Sequence, residues 1–212
     1  MSILITVRLA STPRAPRLSR AQLIFAVYAA LGLFALAVGA LTGSPNIYFL
    51  SQISTPANAL VSPLIGFAFG LSFVYASRVA TRRWSWARVL HHEFHSVVHE
   101  LSAKEIWLLA AASSIGEELL FRGALLQHAS SHFPIDRLIL SSLLFSALHV
   151  RADRRFLPWT AMSFVVGLLL GCMFLVLGDL SGPIAAHFTI NLLNLHFIAR
   201  NAEAPLKHRA LR

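Results

Sequence analysis

The sequence is short of charge. Of its 212 residues only 13% are Asp, Glu, Lys or Arg, while 56% are hydrophobic. A soluble domain is usually about 25% charged and about 45–50% apolar. That deficit excludes an ordinary globular core and points to an integral membrane protein, as does a mean hydropathy of +0.65. Cysteine is nearly absent as well. Cys172 stands alone in an apolar run, so no disulfide framework and no cysteine metal cluster can form within one chain. It reads as a small buried apolar residue. Internal repeats and low-complexity tracts are missing too. The length suits one membrane domain with no room for a separate soluble one.

What the chain has instead is apolar runs of membrane length. A bilayer core of ~30 Å needs about 20 helical residues. Residues 21–41 are uncharged throughout, too long for the roughly 7–15 apolar residues of a cleavable signal peptide, and read as a retained first span. Further spans are expected at 58–77, 106–127, 137–150 (a short one), 156–177 and 184–199. The fold expected is therefore all-α and polytopic, with about six transmembrane helices plus an interfacial amphipathic helix. The organisation is a basic N-terminal segment at 1–20, two spans and the interfacial helix at 21–104, a core at 105–199 and a basic tail at 200–212.

The formal net charge is +9, and its distribution carries meaning. With the N-terminus inside, the flanks 1–20, 78–104, 151–155 and 200–212 hold 4, 5, 3 and 4 of the 18 basic residues. Cytoplasmic flanks collect Lys and Arg, so six spans with both termini cytoplasmic are expected. The positive charge then serves topology and contact with the lipid bilayer, and nucleic acid is discounted as a partner.

Three charged residues lie inside the third apolar run: Glu117, Glu118 and Arg122, in GEELLFRG. Each costs roughly 2.5–3.5 kcal/mol on insertion scales, so such residues usually mark function or a partner. Glu118 and Arg122 are four apart and lie about 40° from one another on a helix, a spacing suited to an ion pair. Glu117 points about 100° away from Glu118. An ion pair that fixes helix packing accounts for Glu118 and Arg122 but not for Glu117, which is left free to act as a general base.

Two later helices carry polar pairs at the same spacing. Phe145 and His149 are four apart, as are His187 and Asn191. A single membrane histidine is often only hydrogen-bonded to a neighbouring helix. Together, however, one carboxylate, two imidazoles and an amide can hold and deprotonate a water and stabilise an oxyanion, as amide hydrolysis requires.

Glu-Glu-x-x-x-Arg, then Phe-x-x-x-His, then His-x-x-x-Asn, in that order on successive membrane helices, resembles the CPBP family of intramembrane proteases. This family includes the type II CAAX prenyl endopeptidases and the bacteriocin-processing Abi proteins. The resemblance covers about residues 105–199. It implies an intramembrane endopeptidase in which Glu117, His149, His187 and Asn191 are catalytic and Glu118, Arg122 and Phe145 support them. Glu117 would activate water, His149 would join it in binding the water or a metal, and His187 with Asn191 would bind the substrate carbonyl or stabilise the oxyanion. Two mechanisms follow. In one, Glu117, His149 and His187 hold Zn²⁺ with an open position. In the other no metal is needed and Glu117 alone is the base; Asn191, a poor zinc ligand, suits an oxyanion role. The implied substrate is a membrane-associated peptide or lipidated protein, and the implied setting is the plasma membrane of a bacterium. The alternatives are a non-catalytic scaffold or immunity protein of the same fold and a proton-coupled transporter using Glu117 and the histidines. The transporter lacks the paired halves common in that class.

Two features sit less simply. Glu117 lies about eleven residues, ~17 Å, into its span, while His149 directly precedes the charged RADRR. Either the fourth helix is short and sits deep, or its boundaries differ from 137–150. The stretch HHEFHSVVHE, 91–100, has histidines at 91, 95 and 99 but is not the HExxH zinc motif. With Leu90, Phe94, Val97, Val98 and Leu101 in a helical stripe and Trp84, Trp86 and Arg88 upstream, it reads as an amphipathic helix in the cytoplasmic interface.

Overall fold

The computed structural model describes residues 19–43, 46–50, 56–127 and 134–201. Most of the basic N-terminal segment and of the basic tail expected from the sequence lies outside these. The described residues are helical, joined by turns: α1 (Arg20–Leu41), α2 (Pro56–Arg83), α3 (Ser85–Val98), α4 (Ala103–Glu118), α5 (Pro134–Ala147), α6 (Leu157–Leu177) and α7 (Ser181–Arg200). Among them the only strand-like pairing is an isolated bridge between Phe49 and Asp179. Three helices, Arg20–Leu41, Leu60–Arg83 and Arg154–Leu177, are long and apolar enough to cross a membrane.

Local chemistry starts two of the helices. Ser19 and Gln22 form a reciprocal capping box at α1, and Ser102 and Glu105 form one at α4, each satisfying backbone N–H groups that a first turn leaves unpaired. Hydrogen bonds from Ser102 hold the Glu105 carboxyl below the usual carboxylate range. At α6, Pro158 sits in the first turn and Gly178 closes the last with φ 79°, a left-handed conformation that suits glycine.

α4 does not stop at Glu118. It widens into a π-helical stretch, Leu119–Leu126, so the expected third span is one continuous helical rod with an irregular second half. α5 is as long as expected but begins and ends three residues earlier than 137–150. Its 14 residues end at Ala147, a rise of about 21 Å, and His149 lies in the turn beyond it.

The helices pair as α2 with α7, α5 with α6, α1 with α4, and α4 with α7; the π-helical stretch meets α1, α5 and α6. α4 and its continuation therefore occupy the centre of the bundle. The α2–α7 seam closes to backbone contact. A Cβ on Gly66 would stand 2.0 Å from the Gly182 carbonyl oxygen, so only glycine permits this approach, as in small-residue seams of membrane helices.

One end of the bundle gathers the charged flanks. Arg20 pairs with Glu100 at 3.1 Å, Arg155 bonds to Glu93 and Asp153, and His91 Nε2 meets the Asn201 carbonyl at 2.8 Å. The Arg155 guanidinium holds the Asp153 carboxyl below the usual range. The opposite end joins the segment 46–50 to the α6–α7 turn through Leu50 N–H to Gly178 O, 2.8 Å, and Leu180 N–H to Tyr48 O, 3.1 Å.

α3 is the helix read as amphipathic, and it lies at the charged end. Its buried face is Ala87, His91 and Val98, not the full stripe expected: Val97 is half-exposed. Phe94 packs edge-on against Phe156 and Trp159. Of the three spaced histidines, His91 turns inward against Phe197, while His95 and His99 stack on one another at 5.4 Å.

Candidate active site

Glu117, Glu118 and Arg122 lie at the junction where α4 becomes π-helical, and all three are buried. Arg122 Nη1 donates to Glu118 Oε1 at 3.0 Å, the pairing expected from their spacing. The guanidinium has two further neighbours. Nη2 donates to the Gly167 carbonyl of α6 at 3.1 Å, and the Phe145 ring of α5 lies 4.5 Å beneath it, a favourable cation–π distance. Arg122 thus ties three helices together.

Glu118 Oε1 has a second partner. His187 of α7 brings Nδ1 to 2.8 Å from it. With the carboxylate as acceptor, Nδ1 carries the hydrogen and Nε2 is turned to the other side. There it faces Glu117, whose Oε2 is 3.9 Å away. Glu117 Oε2 is buried with no hydrogen-bond partner. Buried carboxylate oxygens are normally satisfied; Glu118 Oε2 is unpartnered too, but its other oxygen holds Arg122 and His187, whereas the bare oxygen of Glu117 is the one that faces His187 Nε2.

Phe145 is the hub between the two imidazoles. It is buried, with its ring 4.7 Å from that of His149 and 5.9 Å from that of His187. His149 Nδ1 meets the Phe145 carbonyl at 2.8 Å. Since a carbonyl only accepts, Nδ1 is the protonated nitrogen here and Nε2 stays uncommitted. The backbone of His149 is held as well, by Thr160 Oγ1 donating to its carbonyl at 2.9 Å.

Asn191 lies one helical turn beyond His187 on α7. Its Nδ2 donates to Ser113 Oγ of α4 at 3.0 Å. The fold therefore brings Glu117, Glu118, Arg122, Phe145, His149 and His187 into one cluster, and holds Asn191 beside it through Ser113 rather than against Glu117.

Two contributors escaped the sequence reading. Ser113 precedes Glu117 by four residues, and that i, i+4 spacing was a usable signal. Trp159 packs on the His149 ring at 4.8 Å, but nothing local marks it, because it is set by the docking of α6 on the α5 turn.

Glu117, His149 and His187 are the candidate ligands of a metal site. Their tautomers would suit one, since each imidazole has Nδ1 tied and Nε2 bare. Among the described residues, however, no three His, Cys, Asp or Glu side chains come together in a group able to hold an ion.

Comparison with known families bears on the same segment. Residues 100–193 match the family model described as type II CAAX prenyl endopeptidase, Rce1-like. That match covers all three motifs and agrees with the CPBP resemblance. No curated protein and no solved structure matches the chain.

Proposed function

We propose that the protein is an intramembrane endopeptidase that hydrolyses a peptide bond in a membrane-associated peptide or lipidated protein, with Glu117 as the general base. The observation that carries this reading is Glu117 Oε2: buried, without a hydrogen-bond partner, and 3.9 Å from His187 Nε2. A water at about 2.8 Å from both atoms would subtend an angle of about 90°, close enough to tetrahedral to be held by the two together.

The chemistry then runs on the chain's own residues. Glu117 Oε2 takes a proton from the water as its oxygen bonds to the scissile carbonyl carbon. The carbonyl becomes a tetrahedral oxyanion. Asn191 retains a second N–H beyond the one given to Ser113, and that donor suits the oxyanion. The proton on Glu117 passes to the leaving nitrogen, the C–N bond breaks, and a carboxylic acid and an amine result. Glu118, shared by Arg122 and His187, fixes the imidazole so that Nε2 faces the water. His149, with Nδ1 tied to the Phe145 carbonyl, keeps Nε2 uncommitted. These steps need only the chain's own residues; in the metal alternative Glu117, His149 and His187 would hold the Zn²⁺.

The wider reading is a multi-pass protein with six crossings, in a bacterial plasma membrane. Its charged end, with both termini, faces the cytoplasm. The family match over residues 100–193 and the clustering of basic flanks at one end support it. The test is cleavage of a prenylated fluorogenic peptide by purified protein in detergent or vesicles. Wild type should cleave and Glu117→Gln should not. Equal activity of the two refutes the base. Loss of activity on chelation with recovery on adding Zn²⁺ would replace this mechanism with the metal one.

A further inference from the structure

α1 carries almost nothing polar. Between Leu23 and Leu41, Tyr28 is the only side chain able to form a hydrogen bond. The flanking aromatics Phe25 and Phe34 face outward, 63% and 58% exposed, as lipid-facing residues do. Tyr28 does not. It heads the stripe Tyr28, Gly32, Ala35, Gly39, whose three small members are buried and which repeats at the spacing of one helix face.

That face meets α4 at the motif. A Cβ on Gly116 would stand 2.9 Å from the Tyr28 carbonyl oxygen and 3.5 Å from both Tyr28 Cβ and Cδ1. The two helices thus touch backbone to backbone one residue before Glu117. The Tyr28 side chain therefore leaves α1 against the residue next to Glu117, with the Glu117 carboxylate as its charged neighbour. Arg20, the first residue of α1, pairs with Glu100 just before α4, so the two helices begin at the same end of the bundle.

Resting on the reading of Glu117 as the base, we propose that Tyr28 is a positioning residue for it, supplied by a helix outside the segment of family resemblance. The phenol donates to the Glu117 carboxylate and turns Oε2 toward His187. A glutamate side chain has three rotatable bonds, and Glu117 has no ion pair of its own like the one that fixes Glu118. Tyr28 provides the missing restraint. A phenol within hydrocarbon needs a partner in any case.

The experiment compares Tyr28→Phe, Gly116→Ala, Glu117→Gln and Tyr75→Phe with wild type in the prenylated-peptide assay, with thermal unfolding alongside. Tyr28→Phe should lower kcat about ten- to a hundredfold, the scale of a misplaced catalytic group, while KM and the melting temperature hold. A merely structural tyrosine would instead lower the melting temperature and leave kcat per folded molecule unchanged. Gly116→Ala, which pushes α1 away with Tyr28 intact, should lower kcat in the same way and covers the case of a Tyr28→Phe protein that does not fold. Tyr75→Phe removes a phenol that is 72% exposed on α2 and should behave as wild type. Wild-type kcat in Tyr28→Phe with an inactive Glu117→Gln overturns this inference and spares the base. Activity in Glu117→Gln equal to wild type overturns both.

Discussion

Glu118 accepts from two side chains in the buried centre of the bundle, and its removal is the sharpest energetic test of the structure. Its side chain is fully buried, with Arg122 at 3.0 Å and His187 at 2.8 Å on the same oxygen. Glu118→Met leaves the Arg122 guanidinium, 1% exposed, with only the Gly167 carbonyl and the Phe145 ring. An uncompensated buried charge of this kind costs about 3–5 kcal/mol. Arg122→Met leaves Glu118 with His187 still bonded, so the lower end of that range is expected. The double variant removes both charges and orphans only neutral or singly bonded groups, at about 1–3 kcal/mol. The pair should therefore be coupled by at least ~2 kcal/mol, the double variant being less destabilised than the sum of the singles. The assay is reversible unfolding in mixed micelles with increasing SDS mole fraction, followed by helical ellipticity. Glu118→Met within ~1 kcal/mol of wild type, or a double variant equal to the sum, refutes the account of Glu118 and Arg122 as a mutually neutralising pair.

Other outcomes follow from single contacts. Ser113→Ala frees the Asn191 amide from its 3.0 Å acceptor and should lower kcat/KM about tenfold, with no further loss when added to Asn191→Ala; independent, multiplying losses would separate the two residues. Gly66→Ala forces a methyl into the Gly182 carbonyl and should destabilise by about 1–3 kcal/mol, read in the same micelle titration. Glu100→Gln breaks the Arg20 ion pair, whose partners are more than half exposed, and should change stability by at most ~1 kcal/mol. Asp153, held below the usual carboxylate range by hydrogen bonds from Arg155, should titrate at lower pH than a free aspartate when followed by NMR, and its midpoint should rise in Arg155→Gln. The sign follows from the partner: a donor that stabilises the charged form delays protonation as pH falls.

Much of the site was legible because it obeys short-range helix geometry. The spacing of Glu118 and Arg122 implies a pair one turn apart, and one residue of rotation sets Glu117 on another face. Both relations hold although the helix turns π-helical directly after Glu118. Membrane character was legible from composition, since α1 is uncharged after Arg20 and α6 is uncharged throughout. α5 was misjudged at its end. Leu148, His149 and Val150 continue an apolar pattern, but the helix stops at Ala147 and His149 is held in the turn by Phe145 and Thr160. α3 was read correctly as amphipathic, with a different buried face, because His91 finds a partner in the Asn201 carbonyl that no local pattern announces.

The amino-acid sequence by itself determined which residues are too polar for the bilayer and how those on one helix stand to each other, since helical rise and rotation are the same everywhere. It did not determine partners across helices. That His187 bonds to Glu118 rather than Glu117, that Phe145 lies beneath Arg122 and between two imidazoles, that Asn191 is held by Ser113, and that α1 brings Tyr28 against Gly116 all depend on how closely helices approach. Glycines at the crossing points set that approach, and only the packed bundle shows which backbone each one admits.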